Sequence, residues 1–225
     1  MSNILITGSG GGIGTALAKA FLREGHNLLL HYRNRTCDLE SEHKYSNQVV
    51  EYVKGDLRNP EIVYRVVSQA QDFGVNVLVN NAAVHWVDDF ANKDRIAILS
   101  EMHINAVVPI LLVNGLWDNL SKNGRGLIVN INSLAGKFGS QGESVYCASK
   151  HALSGFSKAL RFDGTSKSIR VLNVILGAAQ TTMSNGREDF DKLIDPDELA
   201  ETIVQLCKVR ETLNIDEVVI TRRNY

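Results

Sequence analysis

The stretch Asn3-Ile4-Leu5-Ile6-Thr7-Gly8-Ser9-Gly10-Gly11-Gly12-Ile13-Gly14 begins as an apolar run and continues into a turn with five glycines. The apolar run predicts a buried strand over Asn3–Thr7, and the pattern after the turn predicts a helix over Ile13–Gly25. Because glycine has no Cβ and adopts positive φ freely, such a turn lets a ligand approach the backbone closely. A buried strand followed by this turn and a helix is typical of a site for a dinucleotide pyrophosphate.

The glycine spacing alone does not decide the matter, because it is wider than the GxGxxG form and a flexible loop could also be rich in glycine. The position between a strand and an amphipathic helix favours the dinucleotide interpretation. The candidate cofactor-binding residues of the turn are Gly8, Gly12, Ile13 and Gly14.

The rest of the chain alternates short β-branched runs with longer helical patterns, which indicates parallel strands, right-handed crossovers and helices on both faces of a sheet. We therefore predict an α/β fold: one doubly wound, Rossmann-type parallel sheet of seven strands forming a single domain over residues 1–225. The further predicted strands are Leu28–Tyr32, Val49–Val53, Val75–Asn80, Leu127–Ile131, Ile169–Ile175 and Glu217–Thr221. The further predicted helices cover residues 60–73, 94–121, 144–166 and 196–209, and a short or frayed helix is expected within 36–48.

Composition excludes several classes of function. The 24 Lys and Arg residues nearly balance the 25 Asp and Glu residues, and the resulting net charge of -1 argues against a nucleic-acid or anionic-membrane partner. No uninterrupted apolar run approaches the roughly 20 residues that cross a bilayer, and no signal-peptide pattern opens the sequence. Three scattered cysteines favour idle thiols over a disulfide framework or a metal site. We expect a cytoplasmic protein that binds no metal.

The end of the second predicted strand indicates which nucleotide is bound. An acidic residue there favours NAD by binding the ribose 2′-hydroxyl, but the run Leu30-His31-Tyr32-Arg33-Asn34-Arg35 contains no carboxylate. Arg33 could instead hold a 2′-phosphate through charge-assisted hydrogen bonds. A solvated loop arginine is the alternative. The sequence thus predicts a preference for NADP(H), with NAD(H) possible.

Three further residues suggest chemistry. Tyr146 and Lys150 are four apart near the start of a long predicted helix, so their side chains share one face. Ser133 follows the fifth predicted strand, at the sheet edge where such folds bind ligands. A Tyr-x-x-x-Lys pair alone is close to uninformative, and it is the combination with the glycine turn that indicates an active site.

Taken together, these motifs resemble the short-chain dehydrogenase/reductase family, in its compact single-domain branch, over almost the whole chain. Thr7-Gly8-x-x-x-Gly12-x-Gly14 resembles the cofactor motif of the family, and Asn80-Asn81-Ala82 resembles its strand-four motif. The resemblance implies a catalytic tetrad of Asn105, Ser133, Tyr146 and Lys150. It also implies that the cofactor contacts Asp56, Leu57, Asn81, Ala82, Tyr146, Lys150, Gly177 and Thr181.

The resemblance implies a role for each tetrad residue, and elementary chemistry supports these roles. Reduction of a ketone needs a hydride at carbon and a proton at oxygen, and Tyr146 would supply the proton. A phenol has a pKa of about 10, so we expect the Lys150 cation, together with the positive nicotinamide ring of the oxidised complex, to lower the pKa of Tyr146. Ser133 would stabilise charge on the substrate oxygen, and Asn105 would hold a water that links Lys150 to solvent.

The substrate side departs from the family pattern. Only about a dozen residues separate Thr182 from the helix that opens at Pro196, which predicts a short substrate lid at about 178–195. Such a lid implies either a more open pocket or closure by another subunit. Near the pocket, a contact of His85 with a polar substrate is one interpretation, but an exposed loop histidine with no ligand role is favoured.

The leading hypothesis is an oxidoreductase that transfers a hydride between NADP(H) and a small carbonyl or alcohol, acting as an NADPH-dependent carbonyl reductase. An alcohol dehydrogenase working in the oxidising direction and a non-catalytic dinucleotide-sensing protein are the alternatives. The resemblance also implies a homodimer or homotetramer. Apolar residues compatible with such an interface, or with core packing, are Ile96, Leu99, Val107, Ile110 and Leu111.

Overall fold

The structure, a computed structural model, describes residues 1–37, 39, 47–122, 124–208 and 213–223. Within these residues the strands are β1 (Asn3–Ile6), β2 (Asn27–Tyr32), β3 (Val50–Lys54), β4 (Val77–Asn80), β5 (Gly126–Ser133), β6 (Ile169–Leu176) and β7 (Glu217–Ile220). The α-helices are α1 (Gly12–Arg23), α2 (Pro60–Asp72), α3 (Arg95–Met102), α4 (Val108–Ser121), α5 (Ser144–Thr165) and α6 (Pro196–Cys207).

The strands form one parallel sheet in the order β3-β2-β1-β4-β5-β6-β7. The order reverses between β1 and β4, where open parallel sheets bind ligands at the carboxyl ends of their strands. This confirms the predicted seven-stranded, doubly wound fold. The helix expected within 36–48 lies largely outside the described residues.

The sheet separates two apolar layers, because successive side chains of a strand point to opposite faces. Ile4 and Ile6 of β1 pack with α1 and α6 in one layer, whereas Leu5 packs with α2 and α4 in the other. The alternation continues in β5, where Val129 belongs to the first layer and Ile128 to the second. Both faces of the sheet are therefore covered by helices.

One helical run meets the length and composition of a membrane span, although no uninterrupted apolar run of that length was found in the sequence. The helical run Arg95–Ser121 contains α3, a π-helical turn over His103–Val107 and α4, and it is long and apolar enough to span a membrane by length and composition alone. Polar residues such as Glu101 and Asn105 interrupt the apolar residues of this run. Half of its most apolar window is buried inside the protein. Such burial is also found in the core helices of soluble proteins.

The cysteines are free thiols in separate places. Burial raises the pKa of the Cys37 thiol and raises the pKa of Cys207 to about 12. Both thiols are therefore protonated at neutral pH, which fits the expectation of unreactive cysteines.

Buried asparagines attach α5 to the middle of the sheet. Asn130 of β5 accepts a hydrogen bond from Asn80 of β4 (2.8 Å) and donates one to the Ser157 hydroxyl of α5 (2.8 Å). Two residues further along β5, Asn132 donates to the Ser154 hydroxyl (2.9 Å) and to Asn173 of β6 (3.1 Å). Buried amides need such partners, so the network fixes the position of α5 relative to the sheet.

Ser157→Ala should therefore destabilise the protein more than an ordinary serine truncation. The change leaves the buried Asn130 amide without an acceptor, at a cost of about 1–3 kcal/mol in the free energy of unfolding. Urea denaturation measures this cost, and Ser121→Ala, which removes an exposed hydrogen bond to the Asp118 carbonyl oxygen at the end of α4, is the matched control with little expected effect. Equal effects of the two substitutions would contradict the proposed importance of the network.

Candidate active site

The glycine turn forms a cradle whose shape depends on missing side chains. A Cβ at Gly10 would lie 1.7 Å from the Arg35 carbonyl oxygen, and one at Gly12 would lie 2.9 Å from the Thr181 side chain. Gly8 has a φ of +67° and packs against Ala82 at a distance that leaves no room for a Cβ. The loops after β2, β4 and β6 thus close tightly around the turn.

The first turn of α1 points backbone N–H groups toward the same cradle. Gly11 is its N-cap residue, and no side chain caps the helix. The first N–H groups of a helix have no partners within the helix, and together with the helix dipole they favour an anion. The cradle and this helix end fit a dinucleotide pyrophosphate.

The strand-four motif is hydrogen-bonded to the start of the glycine turn. The Asn81 side chain donates hydrogen bonds to the carbonyl oxygens of Thr7 (2.8 Å) and Gly8 (3.1 Å). The Thr7 hydroxyl accepts from the backbone N–H groups of Asn81 (3.0 Å) and Ala82 (3.1 Å). These bonds fix the ends of β1 and β4 to each other at the reversal point of the sheet.

His31 joins the turn to the β3–α2 connection, a role that sequence reasoning missed. Its Nδ1 accepts from the Gly8 N–H (3.3 Å), and its Nε2 lies 3.0 Å from the Gly55 carbonyl oxygen. These contacts require a neutral ring with the proton on Nε2. Burial is the main cause of the lowered pKa of His31, which keeps this neutral form.

A basic cluster surrounds the place where β2 and β3 end. The Arg58 guanidinium makes a bidentate ion pair with Asp56, with a shortest distance of 2.6 Å, and these bonds hold the pKa of Asp56 at about 2. Arg33 is exposed beside them and also lowers the pKa of Asp56, while Leu57 is buried. Sequence reasoning missed Arg58, although a basic residue directly after Asp56-Leu57 was a signal that could have identified it.

Tyr146, Ser133 and Lys150 meet at the other end of the cleft. The Ser133 hydroxyl forms a hydrogen bond with the Tyr146 phenol. The Lys150 ammonium lies 5.7 Å from the centre of the Tyr146 ring and donates to the Ile131 carbonyl oxygen (3.0 Å). Both Tyr146 and Lys150 are buried on the sheet-facing side of α5.

The folded chain by itself does not lower the pKa of Tyr146, and the lowering expected with the nicotinamide ring of the oxidised complex stays a prediction. Burial raises it to about 12, the Glu143 and Glu101 carboxylates act in the same direction, and the bond from Ser133 only partly opposes them. Burial also lowers the pKa of Lys150 to about 8. The cost of desolvating the phenolate outweighs the hydrogen bond from Ser133, so the phenol is protonated at neutral pH.

Asn105 lies behind this group, on the π-helical turn. Its side-chain oxygen accepts from the Val84 N–H (2.9 Å), and its amide donates to the Val84 carbonyl (2.8 Å) and to the Ser149 hydroxyl (3.1 Å). Asn105 therefore connects the loop after β4 to α5. The predicted water between Asn105 and Lys150 stays a prediction.

His85 is not the exposed loop histidine expected from the sequence. Its side chain is only 17% exposed, its ring centre lies 4.4 Å from that of Tyr146, and its Nε2 lies 3.2 Å from a Glu143 carboxylate oxygen. The loop after β4 folds back over the start of α5, which brings residues 61 positions apart in the sequence into contact.

One cavity of about 990 Å³ joins the two ends of the cleft. The predicted site residues that line it are Gly8, Gly12, Ile13, Gly14, Arg33, Asp56, Leu57, Asn81, Ala82, Ser133, Tyr146, Lys150, Gly177 and Thr181. Asn105 is the predicted site residue that does not. The predicted lid segment contributes Met183 and Arg187 to the wall, and its two ends pair through a bridge between Ala179 and Ile194.

Comparison with known proteins agrees with this geometry. Residues 2–192 match the family described as short chain dehydrogenase. The chain is 32% identical to a dehydrogenase/reductase SDR family protein 7-like of Drosophila melanogaster, over 94% of this chain and 71% of the relative. It is 30% identical to a 3-oxoacyl-[acyl-carrier-protein] reductase of Bos taurus, over 80% of this chain and 76% of the relative.

Solved structures show the same fold. An alcohol dehydrogenase from the archaeon Thermococcus sibiricus, complexed with 5-hydroxy-NADP, superposes with a TM-score of 0.86 at 21% identity, covering 100% of both chains. The L-sorbose reductase of Gluconobacter frateurii, complexed with NADPH and L-sorbose, superposes with a TM-score of 0.85 at 24% identity, covering 98% of this chain and 95% of the reductase. The fold and the site define a nicotinamide-dependent oxidoreductase of the Rossmann type. The chain belongs to the short-chain dehydrogenase/reductase family.

The buried His31 should make the stability of the protein depend on pH. Because its folded pKa lies below the value of 6.5 in the unfolded chain, its contribution is complete above pH 6.5 and is lost as the pH falls toward the folded pKa. Between pH 7.5 and 5.5 this loss amounts to at most about 1.4 kcal/mol in the free energy of unfolding.

His31→Asn retains a hydrogen-bond acceptor but does not titrate, so its free energy of unfolding should fall less over this pH range than that of the wild type. Urea denaturation at the two pH values measures the difference. His151→Asn, on an exposed position of α5, is the control that should keep the wild-type slope. The same slope in His31→Asn and the wild type would show that His31 does not carry this dependence.

Proposed function

We propose that this protein is an NADPH-dependent carbonyl reductase. The observation that carries the proposal is one cavity with a glycine cradle and an arginine at one end and the Ser133–Tyr146–Lys150 group at the other. When bound, NADPH supplies the hydride for the carbonyl carbon. The residues of the cradle would hold its phosphates and ribose, and Lys150 would hydrogen-bond the nicotinamide ribose, as the family resemblance implies.

The protonation state of Tyr146 supports the reducing direction. Reduction needs an acid that gives a proton to the carbonyl oxygen, and a phenol with a pKa of about 12 carries that proton at neutral pH. Ser133, which hydrogen-bonds the phenol, would also donate to the substrate oxygen and stabilise its negative charge. The oxidising direction needs a phenolate first, so it is the second candidate.

Tyr146→Phe should reduce kcat/KM for a carbonyl by about 10²–10⁴-fold, the usual contribution of a positioned acid. The dissociation constant of NADPH should stay the same, because the ring keeps its place and only the hydroxyl is lost. NADPH oxidation with a broad carbonyl panel and fluorescence titration of NADPH measure the two quantities. Tyr64→Phe, at an exposed tyrosine of α2, is the control.

Two results would refute these roles in different ways. Turnover of Tyr146→Phe close to wild type would refute the role of the phenol as proton donor. A wild-type protein that binds NADPH and oxidises it with no carbonyl of the panel would favour the dinucleotide sensor.

We propose Arg33, with Arg58 beside it, as the ligand of the 2′-phosphate that gives a preference for NADP(H) over NAD(H). Both arginines line the cavity near the carboxyl ends of β2 and β3, and Asp56 holds the Arg58 guanidinium in a fixed orientation. Asp56 is paired with Arg58, so it is not free to bind a ribose 2′-hydroxyl alone. The NADP-bound and NADPH-bound structural relatives support this preference.

Arg33→Asp should lower the affinity for NADPH by about 10–100-fold, the equivalent of losing charge-assisted hydrogen bonds, and leave the affinity for NADH unchanged or higher. Titration of both nucleotides measures the ratio of the two dissociation constants. Arg125→Asp makes the same charge change at an exposed position before β5, and it should leave the ratio unchanged. A wild-type ratio in Arg33→Asp would exclude Arg33 as the phosphate ligand.

The helical run Arg95–Ser121 offers a surface for a second copy of the chain, and we propose a homodimer or homotetramer on this basis. Large apolar side chains remain exposed along it, from Ile96 (70%) to Leu111 (43%). Burying such a stripe against the same stripe of another copy would remove apolar area from water.

We also propose that residues 178–195 act as a short lid over the substrate.

A further inference from the structure

A buried ion pair holds the backbone of one residue in the loop after β4. The Trp86 N–H donates to a carboxylate oxygen of Glu101 (3.2 Å), and the Lys93 ammonium donates to the Trp86 carbonyl oxygen (2.7 Å). The Lys93 Nζ lies 3.7 Å from the Glu101 Oε2, and the two side chains are only 3% and 1% exposed, respectively. We refer to this arrangement as the residue-86 clamp.

Burial of two charges costs free energy, so stability alone does not explain the Lys93–Glu101 pair. Desolvation of two charges can cancel their attraction, and an apolar pair of the same volume often stabilises a protein as well or better. The second carboxylate oxygen of Glu101 has no hydrogen-bond partner, and burial raises the pKa of Glu101. What the pair provides is a fixed conformation: residue 86 has both of its backbone polar groups bound.

The clamp binds the backbone of the loop after β4 in the same way as Asn105, which lies one helical turn after Glu101. Asn105 binds the N–H and carbonyl of Val84, and the Glu101–Lys93 pair binds those of Trp86. Glu101 and Asn105 are one helical turn apart, a rise of about 5.4 Å, and two residues of extended chain span about 6.6 Å. Helix residues four apart can therefore bind loop residues two apart. Alternate residues of the loop are thus bound to the helical run.

His85 lies between Val84 and Trp86, and its side chain contacts the start of α5. Its ring contacts Tyr146 with a centre-to-centre distance of 4.4 Å, and its Nε2 lies beside Glu143. His85 and Trp86 both line the cavity at the end that contains Tyr146 and Ser133. The position of the clamp therefore determines the wall beside the phenol.

We propose that Glu101 and Lys93 are positioning residues for the carbonyl substrate: by binding both backbone polar groups of Trp86, they keep His85 against Tyr146 and fix the substrate side of the cavity. The proposal rests on the proposed function, since it assigns the substrate to this end of the cleft. It also predicts that the clamp acts on the substrate and not on the dinucleotide, because the glycine cradle and Arg33 lie on other loops, while Asn81 and Ala82 are held separately by Thr7.

Glu101→Leu tests the proposal, because it removes the acceptor of the Trp86 N–H and leaves Lys93 without its partner. The KM for a carbonyl that the wild type reduces should rise about tenfold, the fold-change that the loss of one buried hydrogen bond produces. The dissociation constant of NADPH should not change. Glu101→Gln keeps an acceptor oxygen and should remain close to wild type in KM.

A stability control separates positioning from general damage. Leu199→Ala truncates a buried residue of α6 in the other apolar layer, so it should destabilise the protein without changing KM. A KM rise of the same size in Leu199→Ala, or equal rises in Glu101→Gln and Glu101→Leu, would overturn the proposal. If Glu101→Leu does not fold, the double variant Lys93→Met/Glu101→Gln removes both charges. It should raise the KM because the bond to the Trp86 carbonyl oxygen is lost. An unchanged KM in this double variant would overturn the proposal.

Amide hydrogen exchange tests the clamp without relying on turnover. The exchange of the residue-86 amide should be faster in Glu101→Leu than in the wild type, and unchanged in Glu101→Gln. An unchanged rate in Glu101→Leu overturns the clamp itself, and a faster rate with an unchanged KM overturns its role in substrate positioning. A wild type that reduces no carbonyl would refute the proposed function and, with it, the substrate role, while the exchange rates would still report on the clamp.

Discussion

The hydrogen bond from the Lys150 ammonium to the Ile131 carbonyl oxygen is the contact on which the geometry of the site depends. It fixes a buried cation of α5 to the end of β5, two residues before Ser133. Tyr146 lies one helical turn before Lys150 on the same face, so the bond also places the phenol beside Ser133. The asparagine network supports this arrangement, since Asn132 donates to the Lys150 backbone carbonyl (3.3 Å) and to the Ser154 hydroxyl.

The same burial that fixes these groups determines their protonation. Lys150 is buried, and within the part of the chain that the structure describes no carboxylate forms an ion pair with it, so the loss of hydration lowers its pKa to about 8. The phenol suffers the same loss in its charged form, and two carboxylates nearby, Glu143 and Glu101, disfavour the phenolate further. Tyr146 is therefore protonated in the folded protein, as the proposed role of proton donor requires.

The sequence was sufficient to predict the sheet, the glycine turn and the Ser133–Tyr146–Lys150 group, because each depends on local pattern and on motif order. It could not give the direction of the Tyr146 pKa, since the depth of burial depends on how α5 packs on β5. It also gave no indication of the His31 bridge or of the residue-86 clamp. These contacts join residues whose spacing follows no helical or strand period, so only the folded chain brings them together.

The helices that pack on the sheet differ in the polarity of their buried faces. The buried side chains of α6 are Leu199, Ala200, Ile203 and Val204, and those of α1 are likewise apolar apart from a glycine. The buried face of α5 instead includes Ser149, Lys150, Ser154 and Ser157, each of which needs a hydrogen-bond partner. A polar network specifies one arrangement more strictly than apolar packing does, but it contributes less to stability. The buried faces of α1 and α6 therefore contribute apolar packing alone, while the buried face of α5 also fixes the position of Tyr146 and Lys150.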